Sequence, residues 1–163
     1  MFNIFTKSDA VKLLKEAKKT KKRNFELEKQ LLDFPEEAIS YASNVIKGRW
    51  DELEKKFLRK KGSMNSRHII FYCRRVIKKR WVKAEKKIIL YPESSYYYSL
   101  YVIKKRWTKG EKTISRNYYY SYLYAQHVLK DYFELGSKSI FESEYESDYR
   151  NFLISINKIE YLL

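Results

Sequence analysis

The sequence predicts an all-α fold: a short α-solenoid of stacked helical hairpins with helical caps at both ends. Three observations predict it. A motif recurs as Val45-Ile46-Lys47-Gly48-Arg49-Trp50, Val76-Ile77-Lys78-Lys79-Arg80-Trp81, Val102-Ile103-Lys104-Lys105-Arg106-Trp107 and a worn Val128-Leu129-Lys130-Asp131-Tyr132-Phe133. The aromatic anchors (Trp50, Trp81, Trp107, Phe133) stand 31, 26 and 26 residues apart, the spacing of stacked supersecondary units. Apolar places follow helical periodicity on both sides of each anchor. Only four glycines and two prolines are present, too few turn residues for a sandwich or barrel of short strands.

Residues 1–34 read as a leading helical segment. Ser8 can cap a helix at Asp9, and Val11, Leu14 and Ala17 share one face. Lys18, Lys19, Lys21, Lys22 and Arg23 then crowd together as a solvated helix face or a basic contact arm. A second short helix holds Phe25, Leu27, Leu31 and Leu32, with at most a faint echo of the repeat that puts Phe25 in the Trp place.

The four repeats occupy residues 35–141. Upstream of the anchors, Ala38, Tyr41, Ala42, Val45 and Ile46 run i, i+3, i+4, i+7, i+8, one stripe of an amphipathic helix. The same places hold Ile69, Tyr72, Cys73, Val76 and Ile77; then Ser95, Tyr98, Ser99, Val102 and Ile103; then Ser121, Tyr124, Ala125, Val128 and Leu129. Most residues in the first and third places are small, which lets a neighbouring helix approach. Gly48 lies just past this first helix, where a left-handed residue is favoured; Lys79, Lys105 and Asp131 take that place in the other copies. A shorter second helix starts at the anchor, with inner residues Trp50, Leu53 and Phe57; Trp81, Ala84 and Ile88; Trp107, Gly110 and Ile114; Phe133, Gly136 and Ile140. No single hairpin can bury its own stripe, so the units stack. The five extra residues of the first spacing fall around Lys60-Lys61-Gly62-Ser63, a turn-like insertion. Tyr96-Tyr97-Tyr98 and Tyr118-Tyr119-Tyr120 favour strand when taken alone, but in register both triplets open a first helix. Residues 142–163 turn acidic and then supply Tyr149, Phe152, Leu153, Ile156 and Ile159 for a final capping helix.

At 163 residues with 44% hydrophobic content the chain suits one domain, 1–163, with a substantial core, and 17% aromatic residues argue against disorder. Cys73 is the only cysteine, which excludes an intrachain disulfide and a cysteine-based zinc site. The N-terminus lacks the apolar core of a signal peptide, and no apolar run nears the ~18 residues of a membrane span. A soluble protein of a reducing compartment is expected, with no membrane partner.

The net charge is +15, unevenly placed: residues 117–163 carry four basic and seven acidic side chains, a net of −3, so residues 1–116 carry +18. Such a surface attracts polyanions. Within each repeat the anchor reads as core, plugging the gap between two helices. The carboxylates Glu54, Glu85 and Glu111 accompany Arg49, Arg80 and Arg106, and both partners vanish together in the last copy as Ser137 and Tyr132. Joint presence and joint loss indicate one structural ion pair per unit rather than catalytic carboxylates. A lysine three residues before each anchor (Lys47, Lys78, Lys104, Lys130) would form a ladder along one edge of a stack. Arg74, Arg75, Lys79 and Lys105 thicken its positive charge, and Tyr97 and Tyr101 border it. These ten residues are the candidate binding surface, although a Lys near a helix C-terminus also answers the helix dipole.

His68 and His127 stand alone, without a second ligand at metal spacing. There is no glycine-rich phosphate loop and no Ser, His, Asp set. Cys73 falls in a stripe position held elsewhere by Ala or Ser, so it reads as a small core residue. No catalytic residues, cofactor or metal are expected.

The run Tyr41-Ala42-x-x-Val45-Ile46-Lys47-Gly48-Arg49-Trp50-x-x-x-Glu54 resembles a tandem repeat of phage and large-virus proteins whose usual unit reads YAxxVIKGRWPEAE. The resemblance covers roughly residues 35–141; this chain lacks the Pro after Trp and has Lys for Gly in the second and third copies. The family carries no settled activity. The resemblance implies a viral or mobile-element origin and hence a role in host takeover or counter-defence; a non-enzymatic inhibitor of a host protein or ribonucleoprotein complex, acting in the host-cell cytoplasm, is the expected function. A nucleic-acid-handling defence complex is the expected target, in the manner of an anti-CRISPR protein, with the basic face competing where nucleic acid enters. Direct, sequence-independent binding of DNA or RNA is the alternative.

Overall fold

A computed structural model describes residues 5–162, and every regular element among them is helical. The chain divides into two compact units, Met1–Trp81 and Val82–Leu163.

Unit 1 starts with α1 (Lys7–Thr20). Its cap is Thr6 rather than Ser8: the Thr6 hydroxyl accepts the Asp9 N–H, and the Asp9 carboxylate accepts the Thr6 N–H at 2.9 Å. That reciprocal pair satisfies two donors the helix start leaves open. Ala10, Leu14 and Ala17 form the buried face, while Val11 is exposed. Then come α2 (Phe25–Leu31), α3 (Pro35–Tyr41), α4 (Asp51–Arg59) and α5 (Ser63–Tyr72). Pro35 fits the first turn of α3, where no intrahelical N–H is needed. Asn24 caps α2: its side chain accepts the N–H groups of Glu26 and Leu27, and Phe25 is 70% exposed. The insertion after α4 is closed by Asn65, whose amide donates to the carbonyls of Phe57 and Lys60.

Unit 2 opens with a 3-10 turn (Val82–Ala84) running into α6 (Glu85–Ile88). It continues as α7 (Pro92–Tyr98), α8 (Thr108–Ile114), α9 (Tyr118–Tyr124), α10 (Glu134–Phe141) and α11 (Glu146–Ser155), with a last 3-10 turn at Ile159–Tyr161. Both tyrosine triplets are helical, as the register requires. The final helix supplies buried Tyr149 and Leu153, whereas Ile159 is exposed.

The first helix of each hairpin is not one α-helix. After α3, α5, α7 and α9 the chain makes a five-residue π turn: Ala42–Ile46, Cys73–Ile77, Ser99–Ile103 and Ala125–Leu129. A π turn is a one-residue insertion into an α-helix, and it rotates the end of the predicted stripe away from the core. Val76, Val102, Ile103, Val128 and Leu129 are accordingly only half-buried. Each π turn ends on a residue in the left-handed region, and that residue is the lysine, not the following position. Lys47, Lys78, Lys104 and Lys130 have φ between 54° and 59°, as does Lys21 at the end of α1, while Gly48 does not.

Lys21 reveals a repeat in the leading segment. Counted from it, Arg23, Asn24, Leu27, Glu28 and Leu31 correspond to Arg49, Trp50, Leu53, Glu54 and Phe57. The anchor place is held by Asn24, and α1 lacks the π insertion: the Lys21 N–H reaches Ala17, four residues back, whereas that of Lys78 reaches Cys73, five back.

Candidate functional site

The anchors are core. Trp50, Trp81, Trp107 and Phe133 are at most 4% exposed, and three of them cap the second helix of their hairpin. Gly110 and Gly136 make room for two of these rings: a Cβ on Gly110 would lie 2.5 Å from the Trp107 ring, and one on Gly136 would lie 2.5 Å from that of Phe133. Cys73 is a fully buried thiol.

What joins one hairpin to the next is a buried tyrosine hydroxyl. Tyr41, Tyr72, Tyr98, Tyr124 and Tyr149 are fully buried. The Tyr72 hydroxyl accepts the Trp50 N–H at 2.7 Å and donates to the Glu54 carboxylate at 3.0 Å. Tyr41 does the same for Asn24 and Glu28 at 2.9 and 3.0 Å, and Tyr124 for Trp107 and Glu111 at 2.9 and 3.1 Å. Tyr98 donates to Glu85 at 3.5 Å. Three of these carboxylates are also gripped by an arginine: Arg49 binds Glu54 through Nε and Nη2 at 2.8 and 2.6 Å, and Arg23–Glu28 and Arg106–Glu111 repeat the fork. Bidentate, charge-assisted pairing of this kind is strong and orientationally specific. It raises the arginine pKa values, first through the hydrogen bond to the carboxylate. Burial raises the tyrosine pKa values, that of Tyr149 to about 12. In the last copy Tyr149 still accepts the Phe133 N–H at 2.9 Å, but Ser137 stands where the carboxylate would be and donates to the Glu134 carbonyl. Arg49 and Arg106, with their glutamates, therefore brace the hairpins.

The ten candidate contact residues fall five in each unit. In unit 1, Lys47, Arg74, Arg75, Lys78 and Lys79 are all exposed. The Arg75 guanidinium lies over the Phe71 ring at 5.2 Å and lines a groove of about 630 Å³ with an apolar floor of Ile39, Met64 and Phe71. His68 shares that groove, and burial lowers its pKa. In unit 2, Lys104, Lys105 and Lys130 line one groove of about 700 Å³. Ser99, Leu100, Val128 and Leu129 also line it, as do Arg106, His127 and Tyr132. Asp131 is the one carboxylate among the described lining residues, and Lys158 already holds it at 3.4 Å. Tyr97 and Tyr101 stack on each other with ring centroids 5.8 Å apart and planes 8° apart, outside the groove. Tyr97 belongs to a wider network of rings with Tyr96 and Tyr120.

The groove in unit 2 exists because the π turns after α7 and α9 lie side by side, each delivering its left-handed lysine to the same place. Sequence spacing located the lysines but did not place His127 or Tyr132 beside them; Tyr132 stands where the other copies have an arginine. No group of three His, Cys, Asp or Glu suited to a metal occurs among the described residues. No helix of the described residues is long and apolar enough to cross a membrane.

No family model, curated protein or solved structure matches the chain.

Proposed function

We propose that the protein is a non-enzymatic module that binds nucleic acid through its phosphates, without reading sequence. One observation carries this reading. Five times a hairpin turn needs a residue in the left-handed region, at Lys21, Lys47, Lys78, Lys104 and Lys130, and five times that residue is a lysine. Glycine takes this conformation without penalty, whereas a side chain there costs on the order of 1 kcal/mol. Keeping a cation at a costly position, exposed and aimed outward by a fixed turn, is what phosphate contact requires. Arg49 and Arg106, by contrast, are each already paired with a glutamate.

The same charge revises the expected mode of interference. A site through which nucleic acid enters a protein complex is itself positive and repels a basic face. Complementarity lies with the nucleic acid, whether free or held in a host ribonucleoprotein. Unit 1 carries 22 basic and 10 acidic side chains and unit 2 carries 13 and 10, so both are positive and unit 1 supplies most of the attracting field.

A second reading is inhibition of a host protein. The apolar floor of the unit 1 groove favours it, since Met64 is 57% exposed between Ile39 and Phe71. The viral character implied by the repeat fits both readings.

Fluorescence anisotropy with a labelled oligonucleotide at stepped salt tests the first reading. Binding at low salt whose log affinity falls linearly with log salt is expected. No binding at low salt would overturn it, and stable capture of one host protein under those conditions would favour the second.

A further inference from the structure

Resting on the nucleic-acid reading, we infer that the unit 2 groove takes a single strand, with Tyr101 as a stacking residue beside it. The lining is the first observation. A duplex presents phosphates and sugars outward and keeps its bases stacked inside, so Leu100, Val128 and Leu129 offer it nothing. A single strand turns unstacked bases toward apolar and aromatic surface while cations follow its backbone. Apolar and cationic side chains meet in this groove, with Lys104 and Lys105 on the first π turn and its exit and Lys130 at the end of the second.

The second observation is the placement of Tyr101. It sits on the same π turn, between Leu100 and Lys104, both of which line the groove. Its ring is 40% exposed and is held against Tyr97 in a near-parallel stack. A ring held by a neighbour loses little freedom on receiving a base. Tyr132 is the other aromatic group within reach, but Tyr161 covers it in a parallel stack at 3.9 Å. Tyr101 is therefore the available platform.

The test compares anisotropy of labelled oligo(dT), oligo(U) and a self-complementary hairpin of matched phosphate number at one salt concentration, with the full-length chain. The single strands are expected to bind at least about tenfold more tightly than the hairpin. Tyr101→Ala is expected to weaken single-strand binding roughly five- to a hundredfold, the loss of one base stack, and to leave the hairpin unchanged. Tyr101→Phe keeps the ring and should keep the affinity, which separates stacking from misfolding. Lys105→Ala should weaken both ligands. Either of oligo(dT) and oligo(U) binding more tightly than the hairpin fits the inference. Equal affinity for strand and hairpin, or an unaffected Tyr101→Ala, overturns it while leaving salt-dependent binding intact. Loss of all binding at low salt overturns the underlying reading as well.

Discussion

Replacing Tyr124 by phenylalanine removes one oxygen from the middle of unit 2 and keeps the ring that packs on Phe133 at 5.1 Å. Two partners lose their bond. The Trp107 N–H, which donates to that oxygen at 2.9 Å, is left buried and unsatisfied, at a cost of about 1–3 kcal/mol. Glu111, 3% exposed, loses a donor at 3.1 Å, and a hydrogen bond to a charged group is worth about 1.5–3 kcal/mol. Arg106 still grips the carboxylate and recovers part of that. The net expectation is about 2–4 kcal/mol. Tyr149→Phe is the internal control: its hydroxyl also accepts an anchor N–H at 2.9 Å, but Ser137 replaces the carboxylate, so the expected loss is about 1–2 kcal/mol. Urea unfolding followed by circular dichroism measures both. Equal losses, or a larger loss for Tyr149→Phe, would refute the idea that the hydroxyl bridges an anchor and a charged brace.

Three further outcomes follow from the same geometry. Gly110→Ala drives a methyl group into the Trp107 ring and should destabilise by about 1–3 kcal/mol, whereas Gly48→Ala meets nothing within 4 Å and should be neutral or slightly stabilising in the same urea assay. Lys104→Gly should raise stability by about 0.5–1 kcal/mol, since glycine relieves the left-handed backbone, while weakening oligonucleotide binding; a variant that gains neither stability nor loses affinity would contradict the turn assignment. Burial holds the phenols of Tyr72 and Tyr124 protonated well above their ordinary range and lifts those of Tyr96 and Tyr149 to about 12. Because the folded-state values are raised, the associated stability is intact below the unfolded value near pH 10 and is lost as pH climbs toward 12. At pH 11 each such phenol subtracts about 1.4 kcal/mol, so helical signal should collapse between pH 10 and 12. Ionisation of all sixteen tyrosines near pH 10 with full helicity would count against that burial.

The helices, the buried anchors and the Arg–Glu braces were legible because each leaves a local trace: 3.6-residue spacing, a recurring aromatic, a pair present or absent together. The π turns were not legible, since one inserted residue shifts the phase of a stripe without changing its composition. Their absence from α1 also hid the leading repeat, because Ala17 lies four residues before Lys21 while Cys73 lies five before Lys78. The left-handed position was assigned to Gly48 on propensity, and tertiary packing moved it one residue back onto lysine. The tyrosines read as part of an apolar stripe in sequence, because the carboxylates their hydroxyls meet are 13–18 residues upstream in the preceding hairpin. The clue was available: a tyrosine, never phenylalanine, stands nine residues before every anchor from Trp50 to Phe133. Of the ten candidate surface residues, repeat position groups Lys47, Lys78, Lys104 and Lys130, and the structure brings Lys104, Lys105 and Lys130 into one groove.

The salt dependence of oligonucleotide binding, measured for the wild-type chain and for the Lys104→Ala, Lys105→Ala, Lys130→Ala triple variant, tests most directly whether that groove holds a phosphate backbone. Each phosphate contact on a single strand contributes about 0.7 to the log–log slope, so the triple variant should lose roughly 2 units of slope along with its affinity. An unchanged slope, with affinity preserved, would show that the groove is not where nucleic acid binds.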